Sequence, residues 1–260
     1  MRGAWDTIRA SLRSGFLNGL FMSELISILC PTRGRPDFMM RMFKSAATTS
    51  HTGDTRIPNF ETVFYIDEDD QPSIDKWEKD LQYRGCAAVV GPRINLSMAW
   101  NLFFDASHGQ ILFHGGDDLI FRTEDWDEYV KLQFRLSKDK IIFVGGQDGF
   151  HAPEKNFLTH GFLHRNWVET VGYFVPPYFS SDFNDTWLNE VADMIGRKIY
   201  LENLLIEHMH PLAGKHFWDR THQERLERHR KDRPQDLYAE KAEERRKDAE
   251  KLNQFIKDNE

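Results

Sequence analysis

The sequence predicts an α/β fold: a mostly parallel sheet flanked by helices, followed by a charged helical tail at the C-terminus. Three observations predict it. Short apolar runs alternate with segments of helical periodicity, the pattern of strand–helix–strand units. Polar and charged residues gather directly after the end of each run, where open α/β sheets bind ligands. From about Gly214 onward the chain becomes strongly charged, with a short apolar stripe at alternating four- and three-residue spacing.

Each element has its own signal. Residues 25–30 form a short apolar run stopped by Pro31, a buried strand meeting a loop. Residues 37–47 are helical in composition, with Phe38, Met42 and Phe43 on the apolar face. Residues 61–66 read as the second strand, ending in the acidic run 67–70, and residues 87–90 as the third, closed by Gly91 and Pro92. A helix over 95–106 leads to the strand 111–114. Residues 125–136 predict a helix and 140–145 a strand; an irregular stretch rich in His, Phe and Gly follows, and then a helix over 185–195 with Trp187, Leu188, Val191 and Ile195 in phase. In the tail, Tyr238, Ala242, Arg245, Ala249, Leu252 and Ile256 make the stripe, suited to folding back on its own domain or to pairing in a homodimer. Upstream, Trp5, Ile8, Leu12, Phe16 and Leu20 recur at helical spacing, so residues 1–23 read as an N-terminal extension carrying an amphipathic helix.

Composition narrows the function. A length of 260 residues allows one large or two small domains, and a net charge of −7 argues against a broadly basic nucleic-acid binder. The 2 cysteines, Cys30 and Cys86, have no CxxC spacing, so neither a disulfide framework nor a thiolate zinc site is expected. That count fits a reducing compartment, and no apolar stretch is long enough to span a bilayer; the expected location is cytoplasmic, without integral membrane contact.

The chemistry concentrates in four places. Asp117 and Asp118 end the strand 111–114 after two glycines, offering hard oxygens that suit Mg²⁺ or Mn²⁺ shared with substrate phosphates. Pro31, Thr32, Arg33, Gly34 and Arg35 follow the first strand; two guanidiniums at such a turn suit phosphate. Asp67 opens the acidic run after the second strand and can accept hydrogen bonds from a nucleobase or ribose. His208 and His210 alternate and, on extended backbone, offer imidazoles to a metal. Each segment alone also suits an ordinary solvated turn.

Together, in this order, they resemble the GT-A fold glycosyltransferases, within them the family-2-like inverting enzymes, over roughly 24–215. The resemblance implies a nucleotide-sugar-binding half over 24–124 and an acceptor and catalytic half over 125–215, with 216–260 as the tail. Residues 27–36 look like the opening strand and nucleotide loop, Asp67 matches the acid that contacts the base, and Gly91 to Arg93 with Ala99 to Asn101 look like the segment beside the nucleotide-sugar. Gly116, Asp117 and Asp118 are similar to the DxD motif. By that match Asp118 holds the metal, Asp117 faces the sugar or ribose, and His208 or His210 completes the metal shell.

The family places its catalytic base at a helix start beneath the acceptor. Here Asp185, which also suits an N-cap, and Asp182 are the candidates, and the usual Glu-Asp pair reads Asn184-Asp185. The implied reaction moves a sugar from a nucleoside diphosphate, by family habit UDP, to an acceptor hydroxyl with inversion. Mn²⁺ or Mg²⁺, aided by Arg33, Arg35 or Arg93, would neutralise the departing diphosphate. The acceptor, whether glycan, lipid-linked sugar, protein or modified nucleic acid, stays open. Two other classes compete. A sugar-phosphate nucleotidyltransferase would carry a Gly-rich first loop with a lysine, which 31–36 lacks; a non-catalytic glycan- or protein-binding module of the same fold would have no use for the metal ligands.

Overall fold

The computed structural model describes residues 24–56 and 58–259, so the helix expected within 1–23 lies outside the described residues. The elements run β1 (Ile26–Thr32), α1 (Pro36–Thr49), β2 (Phe60–Asp67), α2 (Gln71–Lys76), β3 (Cys86–Gly91), α3 (Leu96–Ala106), β4 (Ile111–His114), β5 (Leu119–Phe121), α4 (Trp126–Leu136), β6 (Phe143–Gln147), β7 (Phe162–His164), α5 (Arg165–Val171), α6 (Asn184–Met194), β8 (Lys198–His208), α7 (Arg220–Asp232), α8 (Pro234–Glu240) and α9 (Ala242–Asn259). One 8-stranded sheet has the order β3-β2-β1-β4-β7-β6-β8-β5. The β3-β2-β1-β4 half is parallel throughout. Beyond β4 the sheet is mixed: β7 runs antiparallel to β4 and β6, β6 and β8 are parallel, and β5 is antiparallel to β8.

The two-residue period of the strands builds a core on each face. Ile26, Ile28 and Cys30 of β1 join Phe60 and Phe64 of β2 in the cluster covered by α1 and α4, with Met39, Met42, Phe43 and Trp126. Leu29 of β1 and Val63 and Tyr65 of β2 face the other way, toward Trp100, Phe103, Trp167 and Trp187. Both faces are covered, which is why β1 and β2 read as continuous apolar runs. Trp126 anchors its face through its indole N–H, which donates to the Ala46 carbonyl at 2.9 Å.

Several boundaries differ from the sequence expectation. The strand expected at 140–145 begins only at Phe143, because Lys140 takes a left-handed φ of 66°. The stretch expected to be irregular contains β7 and α5. The apolar stripe of the tail is not one helix. Tyr238 belongs to α8, while Ala249, Leu252 and Ile256 of α9 are buried in the core beside Trp187. The face that suited a homodimer is therefore covered within the chain. Among the described residues no helix is long and apolar enough to cross a membrane.

Candidate active site

The carboxyl ends of β1, β2, β3 and β4 open on a cavity of about 1210 Å³, closed opposite by the start of α6, the end of β8 and one face of α7. Pro31, Thr32, Arg33, Arg35, Asp67, Arg93, Asp117, Asp118, Asp182, Asp185, His208 and His210 all line it. The parallel register explains the first group: β1 pairs with both β2 and β4, so their ends lie side by side.

Asp117 is buried at the centre. The Thr32 hydroxyl donates to its Oδ2 at 2.7 Å and Arg35 Nη1 to its Oδ1 at 3.1 Å. Burial pushes its carboxyl up to about 6 against the pull of Arg35. Asp118 is brought to His208 by the β5–β8 pairing. Leu119 stands opposite His208, the Met209 N–H donates to the Asp118 carbonyl at 2.9 Å, and His208 Nε2 lies 3.5 Å from Asp118 Oδ2. Burial opposes both charges, yet each stabilises the other: Asp118 is held well below the carboxylate range, with Arg35 helping, and His208 is raised.

His208 and His210 do not act alike. β8 ends at His208, and His210 caps the following turn, its Nδ1 accepting from the Leu212 N–H at 3.1 Å. Burial and the nearby His208 bring His210 down to about 4. Of the two, only His208 makes a contact with Asp118.

Asp118 and His208 have the chemistry for a divalent ion: a hard oxygen with an imidazole suits Mn²⁺ better than Mg²⁺. His208 Nδ1 and the nearby His160 Nε2 are buried without hydrogen-bond partners, orphaned polar atoms of the kind a ligand would satisfy. Among the described residues no three acidic, His or Cys groups form a ready-made cage, so an ion here would draw its remaining ligands from substrate.

The arginines differ from expectation. Arg33 pairs with Asp67 and Asp69, each at 2.6 Å. Arg35 grips Asp219 at 2.7 and 2.8 Å as well as Asp117, and Arg93 is bonded to Glu224. Each guanidinium is already tied to a carboxylate, and Asp219 and Glu224 come from the tail, far away in sequence. Asp67 is mostly buried against Arg33, and burial raises its carboxyl. Backbone Gly34 donates to Asp70 at 2.6 Å, so the acidic run also fixes the β1 loop.

The two candidate bases separate as well. Asp182 is taken up by Arg225 at 2.7 Å and by His229. Asp185 is not an N-cap. Phe183, at φ 74°, starts α6 one residue earlier than expected and leaves Asp185 in the first turn. Among the described residues its side chain accepts only from the adjoining Thr186, and burial raises its carboxyl.

Sequence reasoning missed the face of α7. His222, Arg225, Arg228 and His229 line the cavity, and the Asp219 N-cap that starts the helix was the one local signal for it. It also missed His151 and Thr159; His160 lines the cavity too.

No protein-family model and no curated protein matches the sequence. Solved structures do match. The mannosyltransferase PcManGT from Pyrobaculum calidifontis, in complex with GDP-Man and Mn²⁺, aligns with a TM-score of 0.53 at 13% identity, over 80% of this chain and 64% of that one. TarS 1–349 from S. aureus, in complex with UDP, aligns with a TM-score of 0.53 at 13% identity over 70% of this chain and 60% of that one. A second structure of TarS 1–349 gives 0.54 at 14% identity, over 73% and 62%. This chain thus spans less than two thirds of the length of each. The likeness is one of fold, and the fold is that of the GT-A-type glycosyltransferases.

Proposed function

We propose that this chain transfers a sugar from a nucleoside-diphosphate sugar to an acceptor hydroxyl, with inversion, using a divalent metal. Residues 24–215 form the GT-A unit in this account, and the tail closes its site. The weight falls on one juxtaposition: Asp118, in the turn after β4, and His208, at the end of β8, meet at the ligand-binding end of a GT-A sheet.

Asp118 and His208 would hold Mn²⁺, or less favourably Mg²⁺, which when bound neutralises charge on the leaving diphosphate. Asp117 is fixed by Thr32 and Arg35 and orients a donor hydroxyl by hydrogen bonding. Arg33, with Asp67, borders the end of the cavity assigned to the nucleotide, which by family habit is UDP rather than GDP. Asp185 is the better base. Arg225 and His229 already engage Asp182, whereas among the described residues no cation forms an ion pair with Asp185, and burial raises its basicity despite the more distant pull of Arg225. It takes the acceptor proton as the acceptor oxygen bonds to the anomeric carbon, and the bond to the diphosphate oxygen breaks with its electron pair. Retained water would compete as acceptor, and α7 lines one side of the cavity.

The test is release of nucleoside diphosphate from a panel of UDP- and GDP-sugars, with Mn²⁺ and with EDTA. Metal-dependent release that names a preferred donor supports the proposal. A protein that releases nothing from any donor under either condition contradicts it.

A further inference from the structure

Asp148 follows β6 and is 5% exposed. Its Oδ1 accepts from the backbone N–H groups of Phe150 and His151, both at 2.8 Å, and Gly149 supplies the φ of 64° that turns the chain back onto it. That alone closes the loop. The second oxygen does something else: Oδ2 accepts from the Thr159 hydroxyl and lies 2.7 Å from Nδ1 of His151, fixing the imidazole.

A carboxylate that takes two backbone N–H groups, a hydroxyl and an imidazole can only accept, so Nδ1 of His151 carries the proton and Nε2 is the ring nitrogen left to accept. Nε2 has no hydrogen-bond partner among the described residues, and His151 lines the cavity. Phe150 and Phe157 flank the ring, with centroids 4.7 and 5.1 Å away; Phe150 is 37% exposed.

The turn is tied to the expected donor side of the cavity. The His208 N–H donates to the Asp148 carbonyl at 2.8 Å. Lys215 bridges the Gly149 carbonyl and Glu207, both at 2.7 Å, and Phe150 lies 5.4 Å from the His210 ring.

We infer that Phe150, His151 and Phe157 form a carbohydrate acceptor subsite, in which a sugar hydroxyl donates to His151 Nε2 and the C–H face of the ring lies on the phenyl groups. Asp148 is the positioning residue. A sugar ring offers hydroxyl donors beside an apolar face, which matches a lone pair set between two aromatic rings. A purely apolar acceptor would leave Nε2 desolvated and unpaired. The subsite rests on the glycosyl-transfer proposal.

The experiment is an array of immobilised mono- and oligosaccharides probed with the full chain, UDP or GDP, and Mn²⁺, with nucleotide binding measured separately by calorimetry. The wild type is expected to be retained on a subset of glycans. His151→Ala and Phe150→Ala should each weaken that retention by about tenfold, the worth of one lost contact of 1–1.5 kcal/mol, with nucleotide affinity unchanged. Phe150 is partly exposed, so its variant folds even where His151→Ala does not. Asp148→Asn should also move the proton from Nδ1 to Nε2, a change read directly by ¹⁵N NMR of the imidazole. Wild type that binds nucleotide but no glycan, or variants that hold glycans as well as wild type, would overturn the subsite. Glycan retention without any nucleotide binding would instead keep the subsite and remove the transferase proposal.

Discussion

Replacing Arg35 with methionine tests the electrostatic frame of the cavity. The side chain is 8% exposed, with Nη1 3.1 Å from Asp117 Oδ1 and 3.7 Å from Asp118 Oδ2, and its other nitrogens hold Asp219. Methionine keeps much of the stem volume and removes the charge. The buried Asp117 then loses its ion pair, and the adjacent, mostly buried Asp118 keeps His208. Breaking a buried pair by removing one partner costs about 3–5 kcal/mol. At about 2–4 °C of melting temperature per kcal/mol for a domain of this size, the expected drop is about 6–20 °C. A divalent ion at Asp118 restores positive charge, so Mn²⁺ should raise the melting temperature of Arg35→Met more than that of the wild type. Thermal melts followed by circular dichroism, in EDTA and in Mn²⁺, measure both effects. A loss of only about 1 kcal/mol or less, as for a surface ion pair, would refute the buried frame. Equal Mn²⁺ shifts in the two proteins would refute the placement of the ion beside Arg35.

Other expectations follow from the same geometry. Asp185→Asn should lower turnover by about 10²–10⁴-fold with nucleotide affinity unchanged, measured by steady-state kinetics on the preferred donor. Leu252→Ala, at a fully buried position of α9, should cost about 2–5 kcal/mol in urea unfolding, whereas Leu132→Ala on the exposed face of α4 should cost about 0.5 kcal/mol or less. Burial, with Lys140 nearby, brings His164 down to about 4 from the usual 6.5. The folded state therefore binds this proton less readily than the unfolded chain. Its stabilisation is full above about pH 6.5 and is lost as pH falls toward 4, at up to about 1.4 kcal/mol per pH unit. His164→Asn keeps the cap on α5, where His164 Nδ1 accepts from the Asn166 N–H at 3.1 Å, and should make denaturant-unfolding stability fall less between pH 7 and pH 4 than in the wild type.

The parallel half of the fold was legible because β1, β2 and β4 are buried on both faces and its helices carry one apolar face each. Met39, Met42, Phe43 and Ala46 on α1 are of that kind. What was not legible has physical causes. β5 and β7 are too short for any period to show. β8 runs along a bulge opposite Gly146 and Gln147, and its side chains are mostly half-exposed, so it lacks clean alternation. The lining residues were legible from the strand ends, because a parallel sheet gathers those ends in one place. Their pairing was not. Arg35 reads as an anion clamp until Asp219 arrives from the tail, and His208 and His210 look equivalent until a turn removes one from the strand. The Asp148–His151 arrangement depends on Thr159 and on a turn at Gly149, and a lone histidine in a Phe-rich stretch gives no sign of it.

The most direct measurement is calorimetric titration of UDP and of GDP into the protein with Mn²⁺ and with EDTA, repeated on Asp118→Ala. Binding of a nucleoside diphosphate that requires Mn²⁺ and disappears in Asp118→Ala is the predicted result. Binding that ignores both the metal and the substitution, or no binding of either nucleotide, would contradict a metal-dependent donor site at the end of β4.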